Sequence, residues 1–376
     1  MYIPAWPSLN PAYFVKPEVR EEAPFPLKTS RATYFYVARN AIYRLMRCLK
    51  LEGAVVLAPD YHHGNEISAM KAAGVKIRYY PVQKNLDGDL DAIARLCDAD
   101  PKPRALYVTH FIGWPQPMDA VRRFCSDRRL ILIEDCALSF MSELNKKPLG
   151  SFGEYSVFCL YKSLPLPNGG ALVSNSTAPE SIDDLRSCSA LSVSSRSAEL
   201  MLQWVRARCD IGGRALFACK RAVGDALNAG KVHRTPVGDT GFDLSASNTG
   251  MSRVCERLLT RFHYNSIRET RRRNFKIVEE QLRGRVRLLE IELVQGVCPL
   301  FFPLLVKEKH AASIALLDRG IETVEFWNEG DRDAHCENSD AQFLRRHVLE
   351  IPIHQDMSAA DAAFVADQIV KLDLCL

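Results

Sequence analysis

Apolar positions change their period along this chain, and the changes mark out its elements. Residues 1–30 are rich in proline and hold no clear period, which predicts an extended arm lying over a neighbour or over the body of the fold. From about residue 39 a helical stripe begins (Ala41, Ile42, Leu45, Met46, Leu49), followed by the short apolar run Val55–Ala58 before Pro59, the mark of a buried strand. The alternation then repeats. Helices are predicted near Asn65 to Ala73, Asp89 to Leu96 and Met118 to Cys125, and strands near Val75 to Val82, Ala105 to Phe111 and Leu130 to Ile133. Two shorter strands follow, near Ser156 to Tyr161 and Gly170 to Ser174.

Strands that are apolar on both faces and alternate with helices imply a mainly parallel sheet covered on both sides, so the fold class is α/β. Ligands bind such sheets at the carboxyl ends of the strands. That rule makes Asp60 to His63, His110 and Glu134-Asp135 the first site candidates. Beyond residue 178 the sheet pattern stops. Residues 178 to 230 read as helices, Asp239 to Asn248 as an irregular connection, and Met251 to Leu282 as one long helix with apolar positions at 254, 258, 262, 275, 278 and 282. The remainder reads as a smaller α/β unit with strands near Pro299 to Val306 and Thr323 to Phe326 and a last helix near Ala359 to Leu372. The expected division is an arm over 1–30, a large domain over 31–245 and a small domain over 246–376.

Composition narrows the class without naming a function. With 376 residues, 47% hydrophobic and 25% charged, the chain suits an ordinary folded protein. A net charge of +4, spread along the whole length, gives no reason to expect a nucleic acid or a membrane surface as partner. Arg271-Arg272-Arg273 is the one basic run, and its helical setting predicts a solvated face. The 12 cysteines show no CxxC pair, so reduced thiols packed as small apolar side chains are expected, without a metal. The start lacks signal-peptide features and no apolar stretch approaches the roughly 18–20 residues of a membrane span, so a soluble, cytoplasmic protein is expected.

The candidate chemistry lies in one ordered set of short motifs. Ile133-Glu134-Asp135-Cys136-Ala137, then Gly150-Ser151-Phe152-Gly153, then Tyr161-Lys162 and Asn168-Gly169-Gly170 follow one another, with Lys162 eight residues before Gly170. Val108 to Gln116, Gly320-Ile321-Glu322-Thr323 and Val348 to His354 flank them in order. This series resembles the DegT/DnrJ/EryC1/StrS family of sugar aminotransferases, over roughly residues 35 to 372. The resemblance implies a pyridoxal 5'-phosphate (PLP) transferase of fold type I, a large PLP-binding domain, and a homodimer with its active site at the subunit interface. It further implies an amino-acid donor such as glutamate and a keto-sugar nucleotide as acceptor.

Carried onto this chain, the resemblance makes Lys162 the cofactor lysine and Asp135 the partner of the cofactor's ring nitrogen. Both roles have a physical rationale. A lysine that attacks a carbonyl must first lose its proton, which at pH 7 costs about 4 to 5 kcal/mol for an ordinary lysine, and burial supplies such a shift. Lys162 is expected in a constrained loop after its strand, ahead of Leu164-Pro165-Leu166-Pro167. A carboxylate at the end of the most apolar strand needs a cationic partner, and a protonated pyridine nitrogen is one. A plain helix cap is the other reading of Asp135. Ala38-Arg39-Asn40 opens the first helix, where backbone N–H groups suit a phosphate and Arg39 or Asn40 adds a donor. His63 or Tyr61 stands where the family stacks a ring on the cofactor, and Asn248 where an asparagine reaches the neighbouring subunit's phosphate.

Several positions depart from the family's pattern. Leu138 replaces a polar residue three after the aspartate, Cys159 sits where a phosphate-binding hydroxyl is usual, Pro167-Asn168 replaces Gly-Glu, and Gly250 replaces an arginine. These changes cluster around one site and suggest a divergent branch with an altered substrate. Two other functions stay open on the sequence: a PLP-dependent sugar dehydratase, against which Lys162 argues, and a non-catalytic or regulatory protein that keeps the fold. Arg271 to Arg273 or Arg345-Arg346 are candidates to meet an acceptor's diphosphate.

Overall fold

The structure, a computed structural model, describes residues 1–176, 182, 185–209, 237–238, 241–331, 334 and 339–376. A seven-stranded sheet is built from β1 (Ala32–Phe35), β2 (Val55–Pro59), β3 (Lys76–Tyr80), β4 (Pro103–Thr109), β5 (Ile131–Cys136), β8 (Tyr155–Cys159) and β9 (Gly170–Ser174). Between β5 and β8 lies a small hairpin of β6 (Glu143–Leu144) and β7 (Lys147–Pro148). The helices of this part are α1 (Ala38–Cys48), α2 (Asn65–Ala72), α3 (Leu90–Asp98), α4 (Met118–Arg128), the one-turn α5 (Leu160–Ser163) and α6 (Ala190–Arg208).

The strand order is β1-β9-β8-β5-β4-β2-β3. Pairs β2–β3, β2–β4, β4–β5 and β5–β8 are parallel, and β9 runs antiparallel to both β8 and β1. Successive side chains serve opposite faces. Val55, Leu57, Leu106, Val108 and Leu132 enter one core, and Val56, Ala58, Ala105, Tyr107 and Ile133 enter another. That double burial is why these strands read as unbroken apolar runs.

The chain continues through α7 (Arg253–Leu259), α8 (Tyr264–Leu282), β10 (Phe301–Leu305), α9 (Lys309–Asp318), α10 (Ser339–His347), β11 (Val348–Pro352) and α11 (Ala359–Leu372). β10 and β11 pair antiparallel, and α8 packs along α11. Most strand and helix positions expected from the periodicity are found within a few residues. Three expectations need correction. The long helix over 251–282 is two helices, broken at residues 260–263, where Thr260 O accepts from Val19 N (2.8 Å), the Tyr264 hydroxyl donates to Leu259 O (2.6 Å) and Phe262 packs on Tyr13. Thr323 to Phe326 is an isolated bridge, Val324 to Glu350, not a strand. The Arg271 run is only partly a solvated face: Arg273 is exposed, but Arg271 is 1% exposed and donates to Pro299 O, Leu300 O and Ser163 O. Of the helices expected over 178–230, α6 is observed and most of the rest lies outside the described residues.

The N-terminal arm lies on its own chain. Ile3 bridges to Ile321, the Tyr2 hydroxyl donates to Glu322 (2.8 Å), Ser8 donates to Asp356 and Leu9 N donates to Leu200 O. Among the described residues no helix is long and apolar enough to cross a membrane. Ten cysteines are described, all as free thiols, seven of them buried.

Candidate active site

The carboxyl ends of β2, β4, β5 and β8 converge on a cavity of about 200 Å³. Parallel strands put these ends on one side of the sheet, and the strand order turns around between β2 and β4, the place where open α/β sheets bind ligands. Thr109, Asp135 and Cys159 each sit at a strand end and line the cavity, and Lys162 enters from α5. The expected loop around Lys162 is thus a helical turn, closed by Leu164 N donating to Leu160 O (2.9 Å).

Asp135 is 5% exposed. Its Oδ1 accepts from Ala137 N (2.9 Å) and its Oδ2 from the Tyr107 hydroxyl (2.9 Å). Burial, with the Glu66 carboxylate as a second cause, pushes its carboxyl up to about 6, against the opposing pull of these two donors and Lys162. Glu66, at the start of α2, shares the cavity wall. Burial alone would raise its carboxyl, but His63 and His62 outweigh that and hold it below the usual range. Lys162 Nζ stands 5.2 Å from the centre of the Phe326 ring. Cys159 is fully walled in, and burial pushes its thiol up.

Of the other residues singled out from sequence, Arg39 and His63 line the cavity. Arg39 also donates to Gly238 O (2.7 Å). Asn40 turns away and donates to Ala246 O (2.8 Å). Tyr61 is buried in a ring cluster with Trp327 (4.5 Å) and Phe111 (5.5 Å) and forms no part of the wall. Its neighbour His62 is structural: it stacks on Tyr79, bonds Pro59 O through Nδ1 and accepts from Asp331 N at Nε2. Asn248 is likewise outside this wall, its carbonyl accepting from Arg186 N (2.8 Å). Leu138 does line the cavity, so an apolar side chain replaces a polar one there. Asn168 pins the start of α7 by exchanging two 3.0 Å hydrogen bonds with Ser252.

The remaining strand-end candidates serve the scaffold. Glu134 is 0% exposed and accepts from Gly150 N (2.9 Å), Phe152 N (2.7 Å), Gly153 N (2.6 Å) and His110 Nε2 (3.0 Å). The two neighbouring motifs Glu134-Asp135 and Gly150 to Gly153 are therefore one device, a carboxylate that holds the turn between β7 and β8. His110, Glu134 and Cys136 bring ligand-type atoms within 4.8 Å of one another, but these hydrogen bonds already occupy Glu134. Arg272 donates to Val294 O and Val297 O, and Arg345 to Asp60 O, His62 O and Trp327 O. Neither run therefore presents a row of uncommitted cations to an anion.

Sequence reasoning missed Thr109, Glu66, Trp6, Arg196, Phe326 and Trp327, all in the cavity wall. The strand-end rule that selected His110 applies equally to Thr109, one residue before it. Trp6 lies in the arm, which has no period, and Phe326 ends a segment read only as a strand, so nothing local marks either as a site residue.

Comparison with known proteins finds relatives of the same fold. The model of the DegT/DnrJ/EryC1/StrS aminotransferase family matches residues 38–203. GDP-perosamine synthase of Vibrio cholerae is 27% identical over 154 residues, 40% of this chain and 41% of that protein. A UDP-4-amino-4,6-dideoxy-N-acetyl-beta-L-altrosamine transaminase of Campylobacter jejuni is 27% identical over 143 residues, 37% of this chain and 38% of its own. The chain thus spans about two fifths of the length of these curated relatives. Among solved structures, a putative sugar aminotransferase of Streptococcus pneumoniae in its PLP form superposes with a TM-score of 0.68 at 12% identity, covering 100% of both chains. The Helicobacter pylori aminotransferase PseC, of pseudaminic acid biosynthesis, superposes at 0.65 with 13% identity over 98% of each chain. Those two likenesses establish a shared fold. Residues 38–203, which carry Arg39, His63, Asp135, Cys159 and Lys162, are thus similar to the DegT/DnrJ/EryC1/StrS aminotransferase family.

Proposed function

We propose that this chain is a PLP-dependent aminotransferase that moves an amino group from a glutamate-like amino acid to a keto-sugar nucleotide. The observation that carries the reading is the pairing of Lys162 and Asp135 across one cavity, from neighbouring strand ends of a family-type sheet. The curated relatives are named for sugar nucleotides bearing amino groups, which supports the acceptor class. A homodimer, a cytoplasmic location and a division into domains at 245/246 belong to the same proposal.

The residues present fit PLP on three counts. Asp135 is a buried acid raised to about 6, a seat that a ring-nitrogen cation would relieve. Thr109 Oγ1 is buried at the cavity's edge without a hydrogen-bond partner. Val37 gives α1 no side-chain cap, so the helix's first N–H groups, with Ala38 and Arg39 in the wall, suit a phosphate.

When bound, PLP supplies an electron sink for charge that develops on the substrate's α-carbon. Asp135 would keep the ring nitrogen protonated, and Tyr107 and Ala137 hold that carboxylate in place by its two oxygens. Lys162 Nζ would take the proton from the substrate's α-carbon as base and later give it up as acid. His63 would cover one face of the ring. Leu138, Trp6 and Phe326 exclude water, which protects reactive species from hydrolysis. The test is a single-turnover assay. PLP-loaded protein mixed with glutamate should release about one 2-oxoglutarate per site, and Lys162→Ala none. Wild-type protein that binds PLP yet releases no keto acid from any common amino acid would contradict the reading.

A further inference from the structure

Phe326 and Trp327 are held far more firmly than a loop requires. Phe326 N donates to Glu350 Oε2 (3.0 Å), and Phe326 O accepts from Lys309 Nζ (2.5 Å). Trp327 sits at φ +56°, a left-handed conformation that costs energy for a bulky residue, and its carbonyl accepts from Arg345 (2.7 Å). Glu350 is 1% and Lys309 6% exposed, so two buried polar side chains are committed to one backbone unit. Burying such groups is costly unless they are hydrogen-bonded, and here each bonds the backbone of this short segment.

The geometry also shows what the clamp aims. One neighbour of the Phe326 ring is Trp327, stacked at 17° and 5.6 Å, and Phe301 meets it edge-on at 5.7 Å. Lys162 Nζ stands 5.2 Å from its centre and Trp6 5.9 Å away, both in the cavity wall. Trp6 is delivered by the arm, which is tied on both sides of it at Ile3 and Ser8. Flat carbon-rich rings beside Lys162, in a cavity also lined by Arg39, Glu66 and Arg196, suit a ligand that is itself a ring with an apolar C–H face. An acyclic amino acid has no such face.

We propose that Phe326, backed by Trp6, is the specificity wall on which the acceptor's hexose ring packs, and that Glu350, Lys309 and Arg345 are positioning residues for it. This rests on the aminotransferase reading above and adds the residue that tells acceptor from donor. The test uses PLP-loaded protein and isothermal titration with GDP-mannose against GDP and UDP-glucose against UDP, which lack a keto group and so bind without turnover. In the wild type at least one nucleotide-hexose should bind about tenfold tighter than its nucleotide, the order expected of an aromatic wall. Phe326→Leu keeps apolar volume but loses the flat face, and should bring that ratio to about one. Phe326→Tyr should keep it, and Trp6→Leu, on the arm, should lower it without touching the clamp. A ratio unchanged in both Phe326→Leu and Trp6→Leu sinks the wall while leaving the aminotransferase reading intact. Failure of both nucleotide-hexoses to bind the wild type, beside normal release of keto acid from glutamate, sinks the sugar acceptor and the wall with it.

Discussion

Asp135 gives up hydration that the protein only partly returns. Two hydrogen bonds reach its oxygens, but it is 5% exposed and has another carboxylate, Glu66, in the same wall, so its carboxyl rises from 3.8 to about 6. The folded state therefore holds the proton more tightly than the unfolded chain. The stability due to this group is full below about pH 4 and lost as pH rises through about 6. In cofactor-free protein Asp135→Asn should raise the unfolding free energy by up to about 3 kcal/mol at pH 8 and change it little near pH 4. Urea melts at the two pH values check this, and an equal effect at both would contradict it. The same variant should abolish amino transfer, since an amide cannot hold a protonated ring nitrogen by charge. Lys162 and Asp135 could be singled out in sequence by the order and spacing of their motifs, and both line the cavity. Phe326 could not, because its position is set by Glu350 and Lys309, at separations of 24 and 17 residues, and no local pattern carries that information.

At the scale of elements, two close fits decide whether the site forms. A Cβ on Gly170, at the start of β9, would lie 2.5 Å from both Ala38 N and Val37 C, backbone atoms at the mouth of α1. Gly170→Ala must push that helix start away from the sheet. It should cost about 1–3 kcal/mol of stability and weaken PLP binding by more than tenfold, which equilibrium dialysis would show. Unchanged PLP affinity would mean that the α1 terminus does not hold the phosphate. Glu134 is the second fit. Glu134→Ala strands two buried N–H groups of the Gly150–Gly153 turn, each worth about 1–3 kcal/mol, and the half-buried Phe152 N–H, so the protein should unfold at markedly lower urea, with Glu134→Gln intermediate. The parallel strands were readable from apolar runs, since burial on both faces leaves a strong signature. The break between α7 and α8 was not, because the residues that take up its carbonyl and ring, Val19 and Tyr13, come from the distant arm.

At the scale of the whole molecule, the N-terminal arm ties distant parts of the chain together. His354 Nε2 bonds Pro4 O (2.8 Å), Asp356 accepts from Ser8, and Leu9 joins α6, so the arm links the C-terminal unit to the helix that carries Arg196 and Leu200. Removing residues 1–9 should open the cavity by withdrawing Trp6. It should lower the melting temperature and raise the acceptor's KM well above any change in the donor's, and equal changes in both would contradict the assignment. The central claim is that Lys162 is the cofactor's attachment point, and its most direct measurement is chemical. PLP-loaded protein would be reduced with borohydride, digested and sequenced by mass spectrometry. A pyridoxyl group on the peptide containing Lys162, lost in Lys162→Ala, is the predicted result. A label on another lysine, or none after saturating PLP, would contradict the account.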